Sequence, residues 1–499
     1  MASGDKNGSD ANYAAPTASS ADVFRPLDEA EITQKHWLTV LTAGMGFFTD
    51  AYDLFIIGTV TVLLTPIFHL STGQISLLNS ISLLASVLGA LVFGRLMDRL
   101  GRKRVYGLEV ALLSIGAVLS ALSWSFTSLF IFRLIVGIGV GGDYATSAVI
   151  TSEYANRKSR GRLVGTVFSM QAFGLIAGPA IASILLAAGV SDHTAWRLML
   201  GLGAIPAISV VYLRRKIKET PRFRLAVEGD AAGAAAAVSW TLGTGSTAGV
   251  ASGNGRVDAV AATGGQRQGG QRQGGLSRLA SRPFLLRLVG TAGSWFLLDV
   301  AFYGNSVSSP LILKQLEPQG TLLTHTLTSL AIFVVAAFPG YWTAVWLMDR
   351  IGRKRIQWQG FTMMALAFGA IGLIPGAATD TAPFLVLFGI SYFFVEFGPN
   401  VTTFVCPSEV FPTSVRGIGD GISAGSGKFG AFLGALIVPH LLKSIGISGV
   451  MEIMAVVSLV GIALTLVALP ESKGKTLEEA SEDMIAALPA QAAVAMSAA

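Results

Sequence analysis

Long apolar runs separated by short polar stretches recur along almost the whole chain. Each is about 20 residues, the length of helix that crosses a ~30 Å hydrocarbon core. Clear cases are 75–92, 106–122, 163–186 and 450–469. The pattern predicts twelve membrane helices, near 37–64, 75–97, 104–123, 126–150, 161–188, 196–213, 284–305, 325–347, 356–376, 382–406, 417–441 and 449–469. Residues 1–36 are polar and read as a disordered N-terminus. The stretch 214–283 begins basic and turns into Ala/Gly low complexity, including GGQRQGGQRQGG at 264–275. Such a composition cannot bury a core and predicts a largely disordered linker. A tail over 470–499, part charged and part Ala-rich, follows the last run.

The two groups of six spans repeat each other. GRLMDRLGRKR at 94–104 returns as VWLMDRIGRKR at 345–355, and SEYANRKSRG at 152–161 returns as SEVFPTSVRG at 408–417. Glu219-Thr220 after span 6 returns as Glu471-Ser472 after span 12. The offsets are 251, 256 and 252 residues. Three motif pairs at nearly one offset indicate duplication of a six-span unit, a common transporter construction. The expected fold is therefore an all-α membrane protein, a bundle over 37–213 joined to a bundle over 284–469.

Composition agrees with a bilayer. Of the 499 residues, 52% are hydrophobic and 13% are charged, about half the charge of soluble domains. The net charge of +6 does not indicate nucleic acid, because the basic residues sit in short loops between spans. Arg95, Arg99, Arg102, Lys103 and Arg104 lie in the 2–3 loop, with similar clusters at 157–162 and 350–355; the opposite loops hold little beyond Lys314 and Lys443. By the positive-inside rule the basic loops, both termini and the linker are expected to face the cytoplasm, with the plasma membrane the expected location. Cys406 is the single cysteine, so no intramolecular disulfide can form. No nucleotide-binding motif or His/Cys metal cluster is present, so an ATP-driven pump or an enzyme is not expected, nor a cofactor or metal.

Charges inside the spans carry the chemistry, because a charged side chain at the bilayer centre costs roughly 3 kcal/mol or more. The candidates are Asp50, Asp53, Glu109, Arg133, Asp143, Asp299, Glu396 and Lys428. The excess of acids suits proton carriers. Asp50 and Asp53, three apart in FFTDAYDLF, share a helix face and would repel if both were ionised, which suits a pair that carries a proton. An ion pair of one of them with Arg133 is the alternative. Trp295, Asp299 and Tyr303 follow one another at four-residue spacing on one helix face. Lys428, in SAGSGKFGAF, is too deep to reach either surface and needs a partner, for which Asp299 is the candidate. A purely structural pair is the alternative to an anion-binding cation. Asp98 and Arg102, with their repeats Asp349 and Arg353, sit where an acid can pair with basic groups or a helix N-terminus across the interface between halves, a gating role, with simple positive-inside topology as the alternative.

The Asp-Arg-x-Gly-Arg-Lys-Arg loops of both halves resemble the major facilitator superfamily, and the resemblance covers the chain apart from its tails and linker. GGDYATSAVITSEYANRKSRG at 141–161, SWFLLDVAFYG at 294–304 and FGPNVTTFVCPSEVFPTSVRG at 397–417 resemble its phosphate:proton symporters. Three positions depart from that pattern: Ala145-Thr146 follow GGDY in place of Pro-Leu, Glu396 stands where Asn is typical, and span 7 ends in GNSVSSP. The resemblance implies the major facilitator fold, import of inorganic phosphate with protons, and a latch role for the loop acids. It implies a substrate site of Tyr144, Gln171, Trp295, Asp299, Tyr303, Asn400 and Lys428; the in-span acids Asp50, Asp53, Asp143 and Asp299 are the expected proton-coupling groups. Tyr, Gln and Asn can donate to phosphate oxygens without adding charge. PESKGKTLEE at 470–479 looks like the sugar-porter tail motif. A carrier of sugar or organic anion, or a transporter-like sensor, therefore stays open.

Overall fold

The computed structural model describes residues 20–243 and 279–482, and its regular elements are all helices. A short helix α1 (Ser20–Glu29) precedes six spans: α2 (Gln34–Phe68), α3 (Thr72–Leu100), α4 (Arg102–Ala121), α5 (Phe126–Tyr154), α6 (Arg160–Ala187) and α7 (Asp192–Arg214). A helix α8 (Ala231–Leu242) follows. The second half holds α9 (Arg282–Val307), the short α10 (Ser309–Leu316), α11 (Leu322–Ile351), α12 (Arg353–Leu373), α13 (Thr381–Val410) and α14 (Arg416–Ala468), then α15 (Leu477–Ser481). At 53 residues, α14 would run about 80 Å, far more than one crossing needs. It breaks at Gly446, whose φ of 68° and ψ of −172° leave the helical region. The rod is thus spans 11 and 12, and the twelve expected crossings are all present.

Each half closes around small residues. A Cβ on Gly430 would come 2.3 Å from the Phe296 carbonyl oxygen, and one on Gly434 2.4 Å from that of Val300. That glycine seam lets α14 lie directly on α9, and the same contact sets Lys428 beside Asp299. Small residues also join the halves: a Cβ on Gly94 would be 2.5 Å from the Gly417 carbonyl. Large apolar side chains such as Leu88, Ile184, Ile205, Val335, Leu373 and Val467 point outward, where lipid would meet them. The acids and bases deep in the spans, Asp50, Asp53, Glu109, Arg133, Asp143, Asp299, Glu396 and Lys428, are buried.

Two segments expected to lack structure are corrected. Residues 20–29 and 231–242 are helical, because Phe24 and Leu27 of α1 bury against Leu225, Ala234 and Val238. The isolated composition of 231–242 hides this, since its partner lies about 200 residues earlier. Linker residues 244–278, including 264–275, lie outside the described residues, as do the outer parts of both termini.

Candidate functional site

Lys428 is the centre of a buried polar cluster. It is 1% exposed, and its Nζ lies 3.2 Å from Asp299 Oδ2 and 3.0 Å from the Tyr303 hydroxyl. The ammonium also sits over the rings of Tyr144, at 4.0 Å, and Tyr303, at 4.4 Å, where the ring faces attract a cation. The four-residue spacing on α9 carries this out: Asp299 and Tyr303 both reach Lys428, and Trp295 lies one turn before them, its Nε1 buried without a hydrogen-bond partner. Gly427 seats that indole, since a Cβ there would be 2.3 Å from Trp295 Cδ1. A rigid ring cannot yield as a flexible chain end does. Gly427→Ala is expected to cost about 1–3 kcal/mol by overpacking, read as a lower melting temperature in detergent.

From Tyr303 a line of hydrogen bonds crosses between the halves. The Tyr303 and Tyr144 hydroxyls are 3.2 Å apart. Gln171 Nε2 donates to the Tyr144 hydroxyl at 2.6 Å, and Tyr341 donates to Gln171 Oε1 at 3.2 Å. Asn400 Nδ2 then donates to the Tyr341 oxygen at 2.9 Å and to Glu396. All seven substrate-site residues expected from the sequence thus lie in one connected, buried region. Tyr341 was not among them. Its place in the YW pair of span 8 looks like an aromatic packing position, and nothing local in the sequence points to its contacts with Gln171 and Asn400.

The expected proton-coupling acids divide. Asp299 is at the centre. Asp50 is fully buried, neither oxygen has a hydrogen-bond partner, and Lys428, Asp53, Asp143 and Arg214 lie within its electrostatic reach. Asp53 does not join it in a pair: it holds Arg133 at 2.6 Å, the alternative the sequence left open. Asp143 turns away from Lys428 and binds Arg214 at 2.6 Å and the Ser147 hydroxyl at 2.5 Å, while Glu109 takes the other side of Arg214 at 2.7 Å. Arg214 ends span 6, where a basic residue reads as an interfacial anchor, so its inward turn was not legible.

Aromatic rings close the region on both sides. Phe55 stacks on Tyr303 at 5.2 Å, and Phe47, Phe168 and Phe404 cluster against Tyr144. On the face away from the basic loops there is a cavity of about 320 Å³, lined by Gly58, Thr61, Asn79, Lys314 and His325 among others.

The basic face is shut by two clasps related by the internal repeat. Asp98 accepts from the backbone N–H groups of Gly417 and Ile418 at 3.0 and 2.8 Å, and Asp349 does the same for Gly161 and Arg162 at 3.1 and 2.8 Å. Each acid of one half therefore caps a helix start of the other. Glu153 holds Arg102 of its own half and Arg416 of the other, both at 2.9 Å. Its repeat Glu409 holds Arg353 at 2.8 Å and Arg160 at 2.9 Å. Glu219 and Glu471 accept from the backbone N–H groups of Arg102 and Arg353 at 3.0 and 3.1 Å. Beside the clasps, the buried Arg222 reaches Asp28 of α1 at 2.9 Å and Glu478 of α15 at 2.8 Å. Burial opposes ionisation of Glu478, yet Arg222 holds its pKa below the ordinary value; burial prevails at Asp28, which is raised.

Residues 37–484 match the family model described as sugar (and other) transporter. Inorganic phosphate transporter 1-6 of Oryza sativa subsp. japonica is 36% identical, the alignment covering 93% of this chain and 95% of that protein. Probable inorganic phosphate transporter 1-6 of Arabidopsis thaliana is 35% identical, over 92% and 96%. Among solved structures, the major facilitator superfamily proton:xylose symporter XylE, bound to 6-bromo-6-deoxy-D-glucose, shares the fold with a TM-score of 0.75 at 20% identity, over 90% of this chain and 98% of that one. XylE from E. coli in a partially occluded inward open conformation gives 0.68 at 19% identity, over 89% and 100%.

Proposed function

The chain belongs to the sugar (and other) transporter family and, within it, to the inorganic phosphate transporters, and from that premise we propose that it imports inorganic phosphate with protons by alternating access of the buried Lys428 region. The observation that carries the reading is the Lys428–Asp299 pair inside a cage of neutral donors. A cation at mid-span attracts an anion, and an acid beside it balances the charge while no anion is present. Tyr144, Gln171, Trp295, Tyr303 and Asn400 supply hydrogen bonds around it, so binding need not rest on a second fixed charge. Phosphate displacing Asp299 from Lys428 leaves that carboxylate without its cation, and a proton on Asp299 meets the deficit. Asp50, buried without a partner, is the second proton carrier of this reading; Asp53 and Asp143 serve through the arginines they hold.

Orientation and location follow from the same proposal. The clasped face, rich in Arg and Lys, is cytoplasmic, and the plasma membrane is the site of import. The cavity beside Lys314 and His325 then opens outward, and the clasps are the inner gate. A sugar carrier is the second reading, raised by the PESKGKTLEE segment. Glu471, Ser472, Lys475 and Glu478 of that segment all bond within the clasped face, so the segment bears on gating and not on the choice of substrate. Uptake of radiolabelled phosphate into proteoliposomes, with and without an inward proton gradient and against sulfate, arsenate and glucose, tests the function. Glucose uptake without phosphate uptake would decide for the second reading.

Gating has its own test. Glu153→Gln removes the charge that both Arg102 and Arg416 share, a change that costs about 3–5 kcal/mol where buried pairs are broken. The closed inner face loses stability relative to the open one. Cys406, buried near Arg353 and Glu409, is expected to react at least tenfold faster with a water-soluble alkylating reagent in Glu153→Gln than in the wild-type protein. An unchanged rate would show that Glu153 does not hold the gate.

A further inference from the structure

Glu396 lies outside the scheme above, although it is the carboxyl at the far end of the hydrogen-bond line. It is 0% exposed and opens a wide π-helical turn, Glu396–Asn400, in which Gly398 leaves helical geometry. Such turns interrupt a helix where side chains must be re-aimed. Gly340 of α11 approaches closely enough that a Cβ there would be 3.0 Å from that of Glu396, which brings the next residue, Tyr341, against the carboxyl. One oxygen accepts from Asn400; the other makes no well-aligned hydrogen bond, although the Tyr341 hydroxyl lies within reach of the carboxyl. The groups that face it are Asn400 on its own helix, Tyr341 on α11, Tyr392 one turn before it and Asp299 on α9. No basic side chain pairs with it among the described residues.

We propose that Glu396 is a further proton-carrying group of the phosphate cycle, and that its proton sets the direction of the Tyr341 hydrogen bond joining the two halves. The inference rests on the functional reading above. A buried carboxylate without a counter-ion is costly, and here the charge in reach is another acid. The closed conformation therefore holds Glu396 protonated. A phenol has one hydrogen, and Tyr341 uses it on Gln171 of the opposite half. Ionised Glu396 competes for that hydrogen and, being charged, accepts it more strongly. Tyr341 then turns to Glu396, the bridge from α11 to α6 is lost, and the halves are free to part. The O–H bond at Glu396 breaks, its proton passes to water on the side that opens, and it returns from water on the other side. Nothing is oxidised or reduced.

The test is the charge moved per phosphate, taken from reversal potentials of the reconstituted full-length protein, with phosphate–phosphate exchange measured alongside. Glu396→Gln keeps size and hydrogen bonding but has no proton to release. Always neutral, it leaves the Tyr341–Gln171 bridge in place, so it is expected to exchange phosphate more slowly than the wild-type protein and to move one charge fewer per phosphate. Glu396→Asp, still titratable, is expected to restore the wild-type ratio. An equal ratio in the wild-type protein and Glu396→Gln overturns the proposal. Tyr341→Phe gives a second line that does not depend on Glu396→Gln assembling: exchange that no longer follows an imposed pH gradient supports the switch, and wild-type dependence on that gradient overturns it. Absence of any phosphate movement by the wild-type protein would overturn the functional reading itself, and this proposal with it.

Discussion

Replacing Lys428 with alanine is expected to abolish phosphate binding while leaving a protein that inserts and folds. Among the described residues the ammonium is the one cation in contact with the Asp299, Tyr303 and Tyr144 cage. Truncating one member of a buried charge pair costs about 2–5 kcal/mol, which at about 1.4 kcal/mol per tenfold is roughly 30-fold to several thousand-fold in affinity. Part of that cost is the stranded Asp299 carboxylate. The double variant Lys428→Ala with Asp299→Asn removes the stranded charge, so it is expected to regain stability but not binding. Calorimetric titration with phosphate, together with a thermal melt of each variant, separates the two effects. Wild-type affinity in Lys428→Ala protein would refute the anion site.

Asp299→Asn is expected to stop accumulation of phosphate against a gradient while exchange persists. Phosphate enters as an anion against an inside-negative potential, which opposes each elementary charge by about 2.3 kcal/mol per 100 mV. Protons that travel with it must more than cancel the charge. In the proposed cycle Asp299 alternates between ionised, against Lys428, and protonated, when phosphate holds Lys428. Asparagine fixes the neutral form: the site can still take phosphate, but no proton is loaded or released there. The measurement is uptake into vesicles with a proton gradient, a sodium gradient or neither, set beside exchange at equal phosphate on both sides. Accumulation by Asp299→Asn at the wild-type level would remove Asp299 from coupling. Wild-type accumulation that follows sodium and ignores pH would remove protons altogether.

Twelve spans, two repeated halves and the Lys428–Asp299 pair are legible in the sequence because each rests on a large energy. Apolar runs must match a bilayer, and a mid-span cation must find an acid. What escaped rests on smaller or longer-range terms. Tyr341 is an aromatic in an apolar span, and nothing local separates a hydroxyl aimed at Gln171 from one packed in a core. Arg214 sits at the end of span 6, where snorkelling to the surface is the ordinary outcome, yet Glu109 and Asp143 draw it inward. Helix α8 is Ala-rich, and its burial depends on Phe24 and Leu27 far earlier in the chain. Glu396 was visible as a charge, but its partners Tyr341 and Asn400 meet it only through the kink at Gly398.

The guanidinium of Arg222 joins a helix that precedes the first span to one that follows the last, and this has a practical consequence for anyone handling the protein. Affinity tags, fluorescent fusions and truncations are commonly placed at chain ends on the view that ends are inert. Here α1 and α15 share one buried arginine beside the clasps. A reporter domain fused close to residue 20 or 482 would pull on the clasped face, so its brightness and the carrier's turnover would no longer be independent readings. Spacers long enough to leave Asp28 and Glu478 undisturbed belong in any such design.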